Sequence, residues 1–286
     1  MTKLMKGHTW AKGKHKLTYP ASAEVKVDEI RLDLRREPLG VIFRSYADKP
    51  LHNLDPFQEL FGRYMRAFEV ERLDMGVIVN RSFADTYRYV RSSKGVPAEL
   101  ANAKVEFILF DMPDLIDMPY IDRIQQRRRH SNIMGDYGLP VFVPQRKVVY
   151  DEAEVMAMYS TVRDDGGEGL MVKDHQGRYE ADKRTYGWLK VKPEEDADGL
   201  VTGVLEALGS TPENKGQPLG RVGSLQVTLE DGSTASVAGI PHEIGRAWLA
   251  DPTLIVGQWI EFNYMERDRQ DGYRHPRFNR IREAKA

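Results

Sequence analysis

Glu24-Val25-Lys26-Val27-Asp28-Glu29-Ile30-Arg31 sets one lysine among three acids and an arginine. Two later stretches make that lysine informative: Glu168-Gly169-Leu170-Met171-Val172-Lys173 and Trp188-Leu189-Lys190-Val191-Lys192. A lysine nucleophile, a carboxylate for a metal and a Lys-x-Lys pair for phosphate, in that order, are the parts needed to put a nucleotide on lysine. Lys190 and Lys192 alternate along a strand, so both side chains point to one face, as a phosphate clamp requires. A lysine amine attacks phosphorus only after losing its proton, and free lysine titrates near roughly 10.4. Nearby cations and partial desolvation lower that value. Arg31, Lys190, Lys192 and a bound Mg²⁺ are the expected sources of the field.

Around these segments the pattern alternates between strands and helices. Residues 23–34 read as a strand, followed by a turn at Glu37-Pro38-Leu39-Gly40 and a second strand over 41–45. Phe57, Leu60, Phe61, Tyr64, Met65 and Phe68 recur at helical spacing, which predicts a helix over 56–68. Strands are expected at 77–79 and 105–110, and a helix over 119–134 carries Arg127, Arg128 and Arg129. Asp151 is placed as an N-cap for a helix over 152–162, with Glu154 at the capping-box position. Strands then carry 169–173 and 188–192.

The polar stretch 193–199 reads as a linker. Beyond it come short strands at 200–207, 223–229, 234–237, 259–265 and 278–281, with Glu230-Asp231-Gly232 as a hairpin signal and a short helix over 244–249. Five strands with one helix suggest a small oligonucleotide-binding barrel. The loop 209–220 is expected to be mobile. The domain expectation is thus 1–194 followed by 195–286.

The bulk numbers bound the function classes. At 286 residues the chain suits two domains of unequal size. It is 41% hydrophobic and 30% charged, which excludes disorder as the main state. No apolar run approaches the roughly 20 residues that span a bilayer, and no apolar core follows the N-terminal lysines as in a secretory signal. Zero cysteines exclude disulfides and thiolate metal sites and fit a reducing cytoplasm. The net charge is only −1, but the cations are clustered. One cluster is Lys3, Lys6, Lys12, Lys14 and Lys16; a second is Arg127 to Arg129; a third runs from Arg267 to Lys285. Residues 1–16 are expected to form a basic arm outside the core, whose deletion weakens binding to nucleic-acid phosphates without stopping nucleotide transfer to the lysine.

The ordered motifs resemble those of the covalent nucleotidyltransferase superfamily, and most closely the small ATP-dependent DNA ligases of bacteriophages. The stretch from Gly187 through Lys192 and Pro193 to Gly199 is the most similar. The resemblance implies an α+β fold: an adenylation domain of antiparallel sheets and helices, then an all-β OB-fold barrel that grips duplex backbone. It places the nucleophile at Lys26, with Asp28 in the same Lys-x-Asp motif, and a metal-holding acid at Glu168. By the same resemblance Phe110 stacks on adenine, Glu24 reads the adenine amino group, and Val25 and Lys173 are among the residues that bind the nucleotide. Arg44 falls where the family contacts ribose and later the DNA 5′-phosphate. Arg282 and Lys285 match the closing Arg-x-Asp-Lys segment that orients pyrophosphate, with Ala284 in place of its aspartate.

Two departures stand in the active-site motifs. Glu29 follows Asp28 where the family has glycine, and Leu73-Asp74-Met75-Gly76 lacks the glutamate of the family's Asp-Gly-Glu motif. The expectation is that Glu29 reaches the region that a glutamate at 76 would occupy, binding ribose or a metal-held water. Asp74 in that role, or no replacement at all, is the alternative.

The implied activity is ATP-dependent sealing of nicked double-stranded DNA through a lysine–AMP intermediate, by a monomer using ATP and Mg²⁺, with Mn²⁺ tolerated. The implied location is the cytoplasm, the host's if the chain is phage-encoded. An RNA ligase or capping-type guanylyltransferase, or a non-catalytic DNA-binding protein on a decayed ligase scaffold, remain the alternatives.

Overall fold

A computed structural model describes residues 2–193, 195–265, 267 and 272–282. The chain divides into two compact units, Met1–Val191 and Lys192–Ala286. The first contains β1 (Lys6–Thr9), α1 (Trp10–Gly13), β2 (Ala21–Lys26), β3 (Ile30–Glu37), β4 (Gly40–Ser45), α2 (Gln58–Ala67), β5 (Arg72–Val79) and α3 (Phe83–Arg91). It continues with β6 (Val105–Asp111), α4 (Tyr120–Asp136), β7 (Val141–Phe142), β8 (Arg146–Val149), α5 (Glu152–Asp164), β9 (Gly169–Asp174) and β10 (Arg184–Val191). These strands make two five-stranded sheets, ordered β1-β10-β9-β2-β8 and β4-β3-β5-β6-β7.

The expected single strand over 23–34 is two strands in different sheets. Val27-Asp28-Glu29 carries the chain from β2 to β3, so Lys26 is the last residue of a strand in one sheet and Arg31 the second of a strand in the other. Hydropathy could not show this break, because one face of each strand is polar by design of the cleft.

Strand register sorts the first sheet into two faces. Glu24 lies opposite Met171 and Met171 opposite Lys190, while Ser22 lies opposite Lys173 and Lys173 opposite Trp188. Directly opposed residues share a face, so the sequence motifs converge on one side. The alternate residues Ala21, Ala23, Leu170, Val172, Leu189 and Val191 form the other side's core, on which Val155 of α5 packs. Asp151 caps α5 as expected, accepting from Glu154 N–H at 2.8 Å. The second sheet buries Leu32, Leu34, Met75, Val77, Phe107 and Leu109 against Phe61, Tyr64 and Met65 of α2. Those three positions stand three and four residues apart, one helix face.

The N-terminal residues depart from the expected free arm. β1 pairs in parallel with β10, and Leu4 and Met5 are fully buried beside Tyr179 and Trp188. A Cβ on Gly7 would lie 2.5 Å from the Trp188 carbonyl oxygen, so the close approach of these strands requires glycine. Lys14 pairs with Glu152 at 2.7 Å, and Lys6 and Lys16 sit over the rings of Tyr46 and Tyr186. An arm rich in lysine hid a strand because its apolar residues are few.

The second unit holds β11 (Glu195–Leu208), β12 (Pro218–Thr228), β13 (Thr234–Ala238), α6 (His242–Ala250), β14 (Trp259–Tyr264) and β15 (Arg277–Ile281). Its strands close into a barrel in the order β11-β12-β13-β15-β14. Val201, Leu225, Val227, Val237, Ile260 and Phe262 fill it, with Trp248 of α6 against them. The polar stretch expected as a linker is the first half of β11, pairing with β14 from Glu195↔Tyr264 to Leu200↔Trp259. Asp196 and Asp198 alternate along the strand with Ala197 and Gly199, and Gly199 lets Val227 and Phe262 approach closely inside. Mixed α+β sheets followed by a small barrel agree with the fold class read from the sequence.

Candidate active site

Between the two sheets of the first unit lies a pocket lined by residues of both. The first sheet and the chain leaving it contribute Glu24, Val25, Lys26, Met171, Lys173 and Trp188; Glu29, Arg31 and Phe110 line the other side. Seven residues proposed from sequence therefore meet in one place: Glu24, Val25, Lys26, Glu29, Arg31, Phe110 and Lys173.

At the mouth, Lys26 Nζ contacts a carboxylate oxygen of Glu168, and both side chains are largely buried. β2 and β9 impose this meeting, since Lys26 lies opposite Gly169 in the ladder. Glu29 lines the pocket nearby; burial pushes its carboxyl above the usual range, against the opposing pull of Lys26 and Arg31.

Deeper, Glu24 anchors a buried charge cluster. Its carboxylate accepts from the Tyr120 hydroxyl, from both terminal nitrogens of Arg127 and from Lys173 Nζ at 2.9 Å. A carboxylate offers about four acceptor positions, and four donors fill them here. Burial alone would raise the Glu24 carboxyl; the Lys173 and Arg127 charges reverse that and hold it at about 2. Lys173 shows the converse: burial pulls its amine down to about 8, with Glu24 opposing. Lys173 also donates to the Phe110 carbonyl at 3.1 Å and lies over the Trp188 ring.

Arg127 departs from the basic cluster of Arg127 to Arg129 in which the sequence places it. It is buried on α4 and serves Glu24, whereas Arg128 and Arg129 are exposed. The buried face of α4 is a polar stripe, Tyr120, Arg123, Arg127 and Ser131, ending in the apolar Met134, and Arg123 holds Asp111 through two hydrogen bonds of 2.8 and 3.0 Å. Spacing of three and four residues was the available signal, masked by the charges themselves.

Three hydrogen bonds to two partners fix Arg31. Its Nε donates to Asp74 Oδ1 at 2.8 Å, an Nη2 hydrogen bond reaches Asp74 Oδ2, and Nη2 also donates to the Met5 carbonyl at 2.8 Å. Asp74 accepts a further hydrogen bond from the Tyr179 hydroxyl at 2.8 Å. Asp74 is thus committed to Arg31 and Tyr179. Sequence reasoning missed Tyr120, Tyr179 and Met5, each a single residue with no motif around it.

Other proposed residues stand apart from the lining. Asp28 lies in the connection between β2 and β3, and Arg44 on β4 opposite Asp33. Lys190 shares the motif-bearing face of the first sheet without lining the pocket. Lys192 opens the second unit, where its Nζ lies 3.2 Å from Met265 Sδ. Arg282, also in the second unit, pairs with Asp198 and Glu261 at 2.8 Å each. Lys285 lies outside the described residues. Among the described residues no group of three or more acids or histidines forms a metal cage. Glu168 and Glu29 are nonetheless hard oxygen donors at the amine, and Mg²⁺ is commonly held by one or two carboxylates plus substrate phosphates.

A family profile described as ATP dependent DNA ligase domain matches residues 15–192. The DNA ligase of Enterobacteria phage T3 is 35% identical over 146 residues, covering 47% of this chain and 38% of that protein. The DNA ligase of Escherichia phage T7 is 29% identical over 154 residues, covering 46% and 41%. The chain spans about two fifths of the length of these curated relatives. A solved structure described as "DNA binding with a minimal scaffold: Structure-function analysis of Lig E DNA ligases" superposes with a TM-score of 0.70. It is 21% identical, and the match covers 99% of this chain and 100% of that one, a likeness of fold. With the profile spanning well over half of its residues, the chain belongs to the ATP-dependent DNA ligase domain family.

Proposed function

We propose that this chain seals nicks in duplex DNA at the expense of ATP. The observation that carries the reading is the Lys26 amine at the mouth of a pocket built from Glu29, Arg31, Phe110, Met171 and Lys173. Phe110 and Met171 come from opposite sheets and supply apolar walls for a planar base. Lys26 Nζ attacks the α-phosphorus of ATP; an N–P bond forms, the bond to the bridging oxygen breaks, and pyrophosphate leaves. A 5′-phosphate oxygen at the nick then displaces the lysine from AMP. Last, the 3′-hydroxyl attacks the adenylated 5′-phosphate, AMP leaves and the strand is joined.

Glu168 orients the amine before attack, and Arg31, held by Asp74, faces the charge that grows on phosphate. Glu168, with Glu29 beside it, is the residue that would hold a divalent cation, Mg²⁺ or Mn²⁺, whose contribution when bound is to offset phosphate charge. Lys190 and Lys192 provide further cations along the same strand path. Lys173, whose charge Glu24 already meets, lines the pocket and suits contact with a base edge better than with phosphate. Glu24 acts through Lys173 and Arg127. Arg282 and Lys285 act on pyrophosphate in the ATP step, and Arg44 on ribose or the 5′-phosphate. The barrel grips backbone without reading bases, consistent with sequence-independent sealing, and the working form is a monomer. No helix of the described residues is long and apolar enough to cross a membrane.

The test is intact mass with ATP and Mg²⁺, followed by nicked DNA. A gain of one AMP that is lost on adding nicked DNA, with joined product, is expected. Labelling by GTP in place of ATP, or release only by nicked RNA, would move the chain to a guanylyltransferase or RNA ligase. No adduct with either nucleotide would overturn the reading.

A further inference from the structure

The family profile begins at residue 15, yet a residue before it, Met5, touches Arg31 of the pocket lining. Met5 N–H donates to the Tyr179 hydroxyl oxygen at 3.2 Å, and Tyr179 O–H donates to Asp74 at 2.8 Å. Asp74 accepts from Arg31, and Arg31 Nη2 returns to the Met5 carbonyl at 2.8 Å. The four residues close a ring in which every donor meets an acceptor. Such cyclic networks polarise each member and hold it in one geometry. Leu4, Met5, Tyr179 and Asp74 are all at or below 1% exposure, so water does not compete. β1 locks the segment in place through its pairing with β10, supported by the Lys6 N–H to Lys183 carbonyl hydrogen bond at 2.8 Å.

We propose that the N-terminal segment is a built-in brace of the nucleotidyl-transfer site, with Met5 and Tyr179 as positioning residues that aim Arg31 into the pocket. The proposal rests on the reading of Arg31 as a pocket cation and goes beyond it, because a segment outside the family match supplies part of the geometry. It also reverses the expectation that this lysine-rich segment serves DNA affinity alone.

The experiment uses the full chain carrying Tyr179→Phe, with Arg31→Gln and the double variant completing a cycle. Gln at 31 keeps a donor toward Asp74. Self-adenylation is measured with ATP and Mg²⁺, beside nicked-DNA affinity and thermal melting. Tyr179→Phe is expected to slow adenylation roughly tenfold at saturating ATP, leave nicked-DNA affinity within twofold, and cost nothing further in the Arg31→Gln background. Gly7→Val attacks the brace from the strand side with its hydrogen-bonding side chains intact, and the same slowing is expected there. Equal losses from Tyr179→Phe in both backgrounds would show a general packing role and overturn the proposal. So would normal adenylation in Tyr179→Phe and Gly7→Val, or weakened DNA affinity as their main effect. If unmodified protein forms no adduct with ATP, the ligase reading fails instead, and that result is separate from these.

Discussion

The Glu29 side chain fills the space that a side chain at position 76 would need. A Cβ built on Gly76 lies 2.4 Å from Glu29 Cγ and 2.9 Å from the Phe110 ring. The acid therefore enters the pocket from the connection before β3, and β5 must carry glycine beneath it. A preorganised electrostatic contact at a reacting group is worth roughly 10²–10³ in rate, and on that scale Glu29→Gly should seal nicks that much more slowly. Gly76→Glu alone should be crowded out and poorly folded. The double variant, with the acid moved to the facing position, should regain much of the lost rate in a nick-sealing time course. A double variant no better than Glu29→Gly would show that the space is shared but the carboxylate is not.

Lys26→Ala removes the amine that touches Glu168 while leaving β2 paired on both sides. No AMP adduct should form by intact mass, and nicked-DNA affinity should stay within about twofold. An acid-labile, alkali-stable adduct persisting in this variant would assign the nucleophile to another lysine.

Glu24→Gln leaves Arg127 and Lys173 buried without their counter-charge, a change that costs about 3–5 kcal/mol for buried pairs. The pH dependence has a defined sign. The Glu24 carboxyl is held at about 2 in the folded protein against an ordinary 4.5. A depressed acid stabilises fully above its unfolded value, and that contribution fades as pH falls from 4.5 toward 2. Denaturant titrations should therefore show the variant's deficit shrinking across this window. A deficit that stays constant from pH 6 to pH 2.5 would separate the destabilisation from the charge.

Arg282 pairs with Asp198 and Glu261 inside the second unit. Arg282→Ala together with Lys285→Ala should slow the reaction with ATP at least tenfold and spare the sealing of a nick already carrying AMP. Equal loss in the two assays would count against a role on pyrophosphate.

The order of the motifs was legible in the chain itself: Lys26, Glu168 and Lys190 follow one another at spacings that paired strands bring onto neighbouring ladder positions. So was the barrel, whose short alternating runs and turn signals mark each strand apart from the polar opening of β11. Local pattern reports such features because period-two alternation and turn residues act within a few positions. Tertiary structure alone decided the rest. A strand that changes sheets at Val27–Glu29 has no hydropathy signature, since its residues are polar toward a cleft on both sides. Arg127 reads as a surface cation until Glu24, far away in sequence, supplies the charge that makes its burial tolerable. The N-terminal lysines conceal Leu4 and Met5, which become core only when Tyr179 and Trp188 cover them. Gly76 is intelligible only beside Glu29, because a steric exclusion exists between two side-chain positions and not within either stretch of sequence.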